Sequence, residues 1–490
     1  MDFRRIIDEV ARRKVTGFTG TIDEDGEYYS KIYAGSASMG ESIASDYHGR
    51  FLIELIQNAN DVHPDNRSDG AIEVVLNLAE GPFGVLYVAN GGTPFRPKNV
   101  DALCDMGLSS KPPGESIGNK GLGFRSVHHV TDVPHVYSRA SDAKADHFDG
   151  FCFRFAGSDD LDRLFANPRH RELAKSDLPL FHIPVWVSEQ PEAVTHFARQ
   201  GYSSVIALPL RSADAVADVR REFASVRESG VPLLLFLSRL ASLTVKVLGP
   251  DGTVEDKIIL ERTEDPVEIG GQLLSVADLG SAGKYLIARR TVPETEMLSA
   301  IQDGIETKQL HKHWEKWEGD GEIALAVRLD AMVPQTRLYT YLPMGTQAVS
   351  PFNGFLHGTF FPNSSRTAVD ASIKLNALLA ETAAALAAAT IATLVSPAAD
   401  GASPSLDHAC RANAVVDLLA WEPVDSLATD APLEDIIVEQ LIFILGVECL
   451  GDAPIVPALL QDAQLLGWSS ATRTRHWTEE GEFFGADAAA

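Results

Sequence analysis

Phe51-Leu-Ile-Glu-Leu-Ile-Gln-Asn-Ala-Asn-Asp-Val62 has the pattern of an amphipathic helix. Its apolar residues recur at three- and four-residue steps, which place side chains on one helical face: Leu52, Leu55, Ile56 and Ala59. Glu54, Asn58 and Asp61 fall at positions i, i+4 and i+7 on the other face. The segment therefore predicts a helix with a carboxylate, an amide and a second carboxylate in one column. Taken alone, an ordinary surface helix with a polar face explains the pattern as well.

Two glycine-containing segments follow this helix. The strand-like runs 71–78 and 85–89 flank Gly81-Pro-Phe-Gly84 and predict a hairpin. At its exit, Tyr87-Val-Ala-Asn-Gly-Gly-Thr-Pro-Phe95 predicts a strand that runs into a glycine turn. Ile117-Gly-Asn-Lys-Gly-Leu-Gly-Phe-Arg-Ser-Val127 predicts a glycine loop that opens a helix. A glycine loop by itself is most often a flexible surface loop, so its interpretation depends on the order in which the three segments occur.

In this order, the three segments resemble the motifs of the Bergerat-fold ATPase superfamily, which includes gyrase, the dimeric heat-shock chaperone, histidine kinases and MutL. The helix is similar to that family's N-box, the strand and turn to its adenine-contact motif, and the glycine loop to its phosphate lid. Within the superfamily, the wording is most similar to the sacsin and NO VEIN branch, whose N-terminal domains carry comparable Leu-Gln-Asn-Ala, Ser-Ser-Lys and Gly-x-Lys-Gly-x-Gly-Phe strings. The resemblance implies an α/β fold that binds ATP with Mg²⁺.

The resemblance assigns roles in ATP hydrolysis to the polar face of the helix. Hydrolysis needs a base near the attacking water, a divalent ion that bridges phosphate oxygens, and positive charge near the transition state. Glu54 matches the N-box glutamate, which would orient or deprotonate the water. Asn58 would coordinate magnesium through its side-chain oxygen, and Asp61 would support the pocket near the nucleotide.

The resemblance also assigns residues to the adenine pocket. Asn90 stands where most of the superfamily has aspartate, and its amide oxygen can still accept a hydrogen bond from the exocyclic amine. Gly92 would keep the backbone close to the base, whereas Pro94 replaces the second glycine of the family's motif. Ser203 matches a threonine that lies beside adenine in relatives, with Ser204 as the alternative. Placement on a strand alone would explain both serines.

The glycine loop is implied to bind the phosphates. Its glycines would let backbone amides approach the phosphate oxygens: Gly118, Gly121 and Gly123. The helix that begins near Phe124 would direct its positive end at the same oxygens. Lys120 lies inside the loop and Lys111 at its base.

An arginine far along the chain is implied to reach the terminal phosphate. Arg366 belongs to Phe360-Phe-Pro-Asn-Ser-Ser-Arg-Thr-Ala-Val369, a string similar to one in the middle domain of the heat-shock chaperone. The alternative is a structural arginine paired with Asp370.

Composition limits the classes of partner and compartment. The 42 Lys and Arg residues against 68 Asp and Glu residues give a net charge of −26, which opposes broad attraction to nucleic acid, although a local basic groove stays open. The four cysteines form no Cys-x-x-Cys pair, which indicates neither a zinc site nor a disulfide framework and favours the cytoplasm. Residues 375–395 are apolar but interrupted by polar residues, which favours a buried helix over a membrane span.

The 490 residues predict several domains. We expect an N-terminal helix and strap at 1–40, a Bergerat-type α/β sandwich that binds ATP at 41–211, an α/β middle domain at 212–395, and a linker with a helical C-terminal segment at 396–490. Within these, residues 2–14 are expected to form a short amphipathic helix, and residues 15–40 and 98–123 to lack regular structure. Residues 232–247 are expected to form a helix that runs into a strand.

The function implied by the resemblance is a slow, magnesium-dependent ATPase. Binding and hydrolysis of ATP would close the lid and rearrange the domains, as in a chaperone or conformational clamp, with a protein client or partner and a homodimer as the expected assemblies. The alternative is a scaffold that holds ATP and scarcely hydrolyses it. A histidine kinase or DNA machine ranks below both, because the net charge opposes extensive DNA contact. A role in a bacterial defence system rests on analogy with relatives of the branch.

Overall fold

The computed structural model describes residues 1–23, 25–46, 50–64, 66–105, 123–141, 145–228, 230–363 and 368–428, together with residues 433, 435–437, 440, 476–477 and 483–484. The described residues form a mixed α/β protein with two large mixed sheets, which confirms the predicted α/β class. The chain divides into two compact units. Unit 1 comprises Met1–Ser229 and Leu237–Leu260, and unit 2 comprises Gly230–Phe236 and Glu261–Ala490.

Unit 1 contains eight α-helices and an eight-stranded sheet among its described residues. The helices are α1 (Phe3–Thr19), α2 (Ile32–Asp46), α3 (Phe51–Asp61), α4 (Pro97–Cys104), α5 (Ser158–Leu164), α6 (Pro168–Asp177), α7 (Glu192–Gln200) and α8 (Ala213–Glu228), with a 3₁₀ helix at Gly123–His129. The strands are β1 (Gly70–Asn77), β2 (Val85–Asn90), β3 (His135–Ser138), β4 (Cys152–Phe155), β5 (Pro184–Trp186), β6 (Ser204–Pro209), β7 (Leu240–Leu248) and β8 (Val254–Glu261). Their order in the sheet is β5-β4-β3-β6-β2-β1-β7-β8.

The centre of this sheet is the predicted hairpin of β1 and β2. The two strands pair antiparallel, with Val75 opposite Tyr87, and almost every residue in them is buried. Gly84 has a φ of 91° in the connecting turn, a conformation that a side chain disfavours. On its other edge β1 pairs in parallel with β7. Strands buried on both faces read as continuous apolar runs, which is why the sequence showed this hairpin clearly.

Helix α3 packs against this hairpin and against the 3₁₀ helix. The predicted apolar stripe is its buried face: Leu52, Leu55, Ile56 and Ala59 are each at most 4% exposed. The helical prediction for residues 51–62 is therefore confirmed, and its polar column remains on the opposite side of the stripe.

Unit 2 is built on a seven-stranded sheet. Its α-helices are α9 (Glu294–Glu306), α10 (Lys374–Val395) and α11 (His408–Leu419), and short 3₁₀ helices lie at Gly280–Ala282, Lys312–Lys316, Pro397–Ala399 and Asp425–Leu427. Its strands are β9 (Thr263–Ile269), β10 (Gln272–Asp278), β11 (Lys284–Val292), β12 (Gly321–Arg328), β13 (Arg337–Thr340), β14 (Leu342–Pro343) and β15 (Phe355–Gly358), in the order β14-β13-β15-β12-β11-β10-β9. Two further short strands, β16 (His476–Trp477) and β17 (Phe483–Phe484), pair with each other.

Helix α10 forms the centre of the unit 2 core. It packs against β11, β12, α9 and α11. Among the described residues it is the one helix long and apolar enough to cross a membrane, and 61% of its most apolar window is buried inside the protein. The helix predicted at 375–395 is confirmed, and its apolar surface serves the core of unit 2.

Two segments predicted to lack regular structure are helical. Helix α2 occupies Ile32–Asp46, where glycine, aspartate and tyrosine residues predicted a loop up to about residue 40, because packing against the 3₁₀ helix and α6 overrides weak propensity. Helix α4 occupies the first third of the expected lid. The sequence carried a signal for it, since Pro97 stands at the first helical position and Asn99 accepts from Arg96 N at 2.8 Å.

The region after residue 212 also differs from the prediction. Residues 233–236 form turns, not a helix, because a short buried apolar run has no periodicity that distinguishes a helix from other buried conformations. Helix α8 and strand β7 lie in unit 1, so the boundary expected at residue 212 falls inside that unit. The physical reason is the parallel pairing of β7 with β1, which joins segments far apart in sequence.

Candidate functional site

The polar column of α3 grades from buried to half-buried along the helix. Glu54 lies in the first turn and is 4% exposed, whereas Asn58 and Asp61 are half-buried. The three predicted site residues of this helix therefore lie on one face, as their spacing requires. A buried carboxylate followed by two half-buried polar side chains is suited to binding a polar molecule.

The carboxyl end of α3 meets the glycine turn that follows β2. Thr93 N donates a hydrogen bond to the carbonyl oxygen of Val62 at 2.7 Å. A Cβ added to Gly92 would stand 2.7 Å from the carbonyl carbon and oxygen of Val62. Real Cβ atoms do not approach backbone so closely, so the helix end alone requires glycine at this position. The turn and the polar column are thus joined directly.

Asn90 ends β2, and both ends of its side-chain amide are hydrogen-bonded. Its Nδ2 donates to Ser204 Oγ at 2.9 Å, and its Oδ1 accepts from Gly92 N at 3.1 Å. Asn90 and Ser204 face each other in the register of β2 and β6. Ser203 donates its backbone N–H to the Asn90 carbonyl at 2.8 Å. Of the two candidate serines, Ser204 is the one whose hydroxyl contacts the Asn90 amide.

Two residues that the sequence did not indicate hold the turn from the other side. Ser138 Oγ accepts from Phe95 N at 2.8 Å and so fixes the end of the turn. The buried guanidinium of Arg139 donates to the carbonyls of Tyr202 at 2.7 Å and of Ala198. Neither residue belongs to a periodic pattern or a motif, so no sequence signal identifies them. Together they fix the position of the serine pair beside Asn90.

Phe124 belongs to an aromatic cluster of the unit 1 core. Its ring centroid lies 5.8 Å from that of Phe181 and 6.2 Å from that of Phe155, and the residue is 8% exposed. The helix expected to open here is a 3₁₀ helix that begins at Gly123. Arg125 donates to the carbonyl of Leu103 at 3.0 Å, and its burial lowers the pKa of the guanidinium to about 10. The side chain of Phe124 thus anchors this short helix in the core.

The remaining predicted site residues lie outside the described residues: Lys111, Gly118, Lys120, Gly121 and Arg366. The segment that contains Arg366 is closed at its base, where Asn363 N donates to the Ala368 carbonyl at 3.1 Å. Asp370, the alternative partner of that arginine, accepts from Ser372 N at 2.9 Å.

The comparisons with known proteins relate the chain to two long proteins. The sequence is similar to Protein NO VEIN of Arabidopsis thaliana, with 24% identity over 386 residues that cover 74% of this chain and 12% of that protein. It is similar to sacsin of Homo sapiens, with 33% identity over 106 residues that cover 18% of this chain and 2% of sacsin. No family model matches. These similarities support the predicted relation to the sacsin and NO VEIN branch, and the chain spans only a small part of either relative.

Proposed function

We propose that this chain binds ATP with Mg²⁺ and hydrolyses it slowly, as an ATPase of the sacsin-like type. The observation that carries the proposal is the junction of α3 with the turn after β2, where Thr93 N bonds the carbonyl of Val62 at 2.7 Å. This junction joins the predicted catalytic helix to the predicted adenine turn within one unit. The packing of α3 on a mixed sheet is what a Bergerat-type domain requires, and this finer assignment is part of the proposal.

In this proposal the adenine base of ATP binds at the end of β2. A carbonyl-type amide oxygen has two acceptor positions, and the Oδ1 of Asn90 uses one of them for Gly92 N. The second would accept from the exocyclic amine of adenine. Ser204 fixes the orientation of the Asn90 amide, since it accepts from Nδ2 at 2.9 Å. Ser203 remains the candidate for direct contact with the base.

Glu54 would orient or deprotonate the attacking water. Its burial in the first turn would limit competing solvent, and its place on the same helical face as Asn58 would bring the carboxylate to the phosphates. The polar column offers carboxylate and amide oxygens as metal ligands, the ligand type that Mg²⁺ prefers. When bound, the ion would supply positive charge beside the transferring phosphate.

The donor set also indicates how such an ion would be held. Among the described residues, no group of three or more His, Cys, Asp or Glu side chains is arranged to hold a metal ion. The ion would therefore share the oxygen of Asn58 with water and with the nucleotide. Magnesium commonly binds in this way, through one or two protein oxygens and the substrate phosphates.

The phosphate loop and Arg366 complete the proposal. The glycines and lysines of residues 111–123 would surround the phosphates and close over them as a lid. Arg366 lies in the range of unit 2, and its proposed role is to reach the terminal phosphate when ATP closes the lid and the domains rearrange. Its loss is expected to lower turnover and leave ATP affinity nearly unchanged.

Calorimetry and turnover test the proposal together. We expect ATP and ADP to bind in the presence of magnesium, and Glu54→Ala to bind ATP yet lose turnover. Glu172→Ala is the matched control, because Glu172 is an exposed carboxylate on α6. Absence of binding of either nucleotide at millimolar concentration would refute the proposal.

The second candidate is a scaffold that holds ATP with little hydrolysis and displays a surface to a protein partner. A slow rate that is the same in wild type and Glu54→Ala would favour it. Light scattering with and without a non-hydrolysable analogue would show whether the proposed homodimer forms and whether nucleotide controls it.

A further inference from the structure

Helix α3 does not cap its own amino terminus. The first N–H groups of a helix lack partners within the helix and need an outside acceptor. The residue before the helix, Arg50, makes no side-chain cap. Glu222 on α8 replaces it: the Oε2 of this carboxyl accepts from Leu52 N at 2.9 Å, and the group also accepts from the backbone of Phe51. The cap thus comes from a helix 170 residues away in sequence.

The charges around Glu222 suit this role. A carboxylate at the positive end of a helix dipole is stabilising, and Arg50 beside it favours the charged form further. Burial acts in the opposite direction and raises the pKa of Glu222 to about 7. Asp218, which lies nearby, disfavours the charge on Glu222, and the ring of His129 lies 2.8 Å from the carboxylate of Asp218. Glu222 is therefore a buried acid that titrates close to neutrality.

The opposite end of α3 is held in a matching way. Arg239 Nη1 donates to the carbonyl of His63 at 3.2 Å and to that of Asp61 at 3.4 Å. A cation is favoured where helix carbonyls point outward. Arg239 directly precedes β7, and β7 pairs with β1. The segment from α8 to β7 therefore holds both ends of α3 by charge.

We propose that Glu222 is a positioning residue of the nucleotide site, which caps α3 and fixes the direction in which Glu54 projects from its first turn. This inference rests on the proposed ATPase function. Glu54 follows Leu52 by two residues, so a first turn that loses its cap also loses the orientation of its carboxylate. The ionised carboxylate accepts from both backbone N–H groups, whereas the protonated form has less capacity to accept. Turnover is therefore expected to rise through a step near pH 7.

The first measurement is amide hydrogen exchange at Phe51 and Leu52, which needs no nucleotide. Glu222→Ala is expected to accelerate exchange at both amides by roughly fivefold or more, in line with the loss of a helix cap. Glu222→Gln keeps one acceptor oxygen, so its exchange rates should lie between those of wild type and Glu222→Ala. Asp214→Asn is the matched control, because Asp214 is an exposed carboxylate on the same helix, and it should exchange like wild type.

The second measurement is the pH profile of turnover with ATP affinity. We expect Glu222→Ala to lower kcat about tenfold with less than threefold change in ATP affinity, and Glu222→Gln to remove the step near pH 7. Wild-type exchange in Glu222→Ala would overturn the inference. Faster exchange with an unchanged rate and pH profile would also overturn it.

The outcomes separate this inference from the proposed function. If wild type binds no nucleotide, the proposed function fails and the exchange measurement still decides whether Glu222 caps α3. If Glu222→Ala does not fold, Glu222→Gln decides, and exchange and pH profile equal to wild type would overturn the positioning role.

Discussion

Asn58 in the second half of α3 and Asn376 in the first turn of α10 are the same residue type in different surroundings. On α10 the fully buried Asn376 accepts from Phe361 N at 2.8 Å and donates to the carbonyls of Phe361 at 2.9 Å and Asp370 at 2.8 Å. On α3 the half-buried Asn58 faces the same side as Glu54. A buried amide is costly unless it is bonded, so Asn376 is an internal support. Burial and hydrogen bonding, rather than residue type, therefore distinguish a structural asparagine from a candidate ligand.

The largest expected effect tests whether α3 is the functional helix. Glu54→Ala should lower ATP turnover by about 100- to 10,000-fold, since a general base contributes that much, and should retain ATP binding. Steady-state turnover and calorimetry on the same preparation measure both. Turnover equal to wild type in Glu54→Ala would contradict the assignment of α3 as the catalytic helix.

The next effect tests α10 as the structural helix. Asn376→Ala removes three buried hydrogen bonds and should lower the free energy of unfolding by about 3–4 kcal/mol. Asn58→Ala is the control, because a half-buried side chain away from the core should change stability by less than about 1 kcal/mol. Denaturant unfolding compares the two. Similar losses in both variants would break the distinction.

The cap of α3 gives the free energy of unfolding a pH dependence. Because the folded pKa of Glu222 is about 7, above the ordinary 4.5, the folded protein holds this proton more tightly. The resulting stabilisation is complete below about pH 4.5 and is lost as the pH rises through about 7, a difference of about 3 kcal/mol. Between pH 4 and about 8, the difference in the free energy of unfolding between wild type and Glu222→Gln should change by this amount, because the other titrating groups contribute equally to both proteins. Parallel curves would contradict it.

One added methyl group in the turn after β2 should destabilise the fold. Gly92→Ala places a Cβ 2.7 Å from the backbone of Val62 and should destabilise unit 1 by about 1–3 kcal/mol. Gly35→Ala is the control, since nothing outside the backbone of its own helix lies within 4 Å of the added Cβ, and alanine is favoured over glycine at this exposed position of α2. Thermal unfolding distinguishes them. A neutral Gly92→Ala would show that the helix end and the turn are not closely joined.

The smallest effect separates the two serines. Ser204→Ala removes the bond from Asn90 Nδ2 and should cost about 1 kcal/mol of stability. Ser203→Ala should spare stability and weaken ATP binding if Ser203 contacts the base. Unfolding and calorimetry on both variants decide which serine supports the pocket and which one lines it.

Segments whose buried residues recur at regular spacing along the chain were predicted from the sequence. The sequence predicted three elements correctly: the apolar stripe of α3, the apolar strands β1 and β2, and the long helix at 375–395. Each of them buries one face or both along its whole length, so its apolar residues form a local pattern. Helix α4 was legible too, from Pro97, but the prediction overlooked it. The roles of Glu54, Asn58 and Asp61 remain predictions that rest on resemblance and on their shared helical face.

Sequence alone therefore determined the α/β class, the two faces of α3 and the relation to the sacsin and NO VEIN branch. Only the tertiary structure decided that Glu222 and Arg239 hold the ends of that helix, that Ser204 bonds Asn90, and that β7 joins β1 across the expected domain boundary. The physical reason is range. Periodicity and turn residues encode interactions between neighbours in the chain, whereas caps, strand partners and close backbone approaches form between segments whose separation carries no pattern.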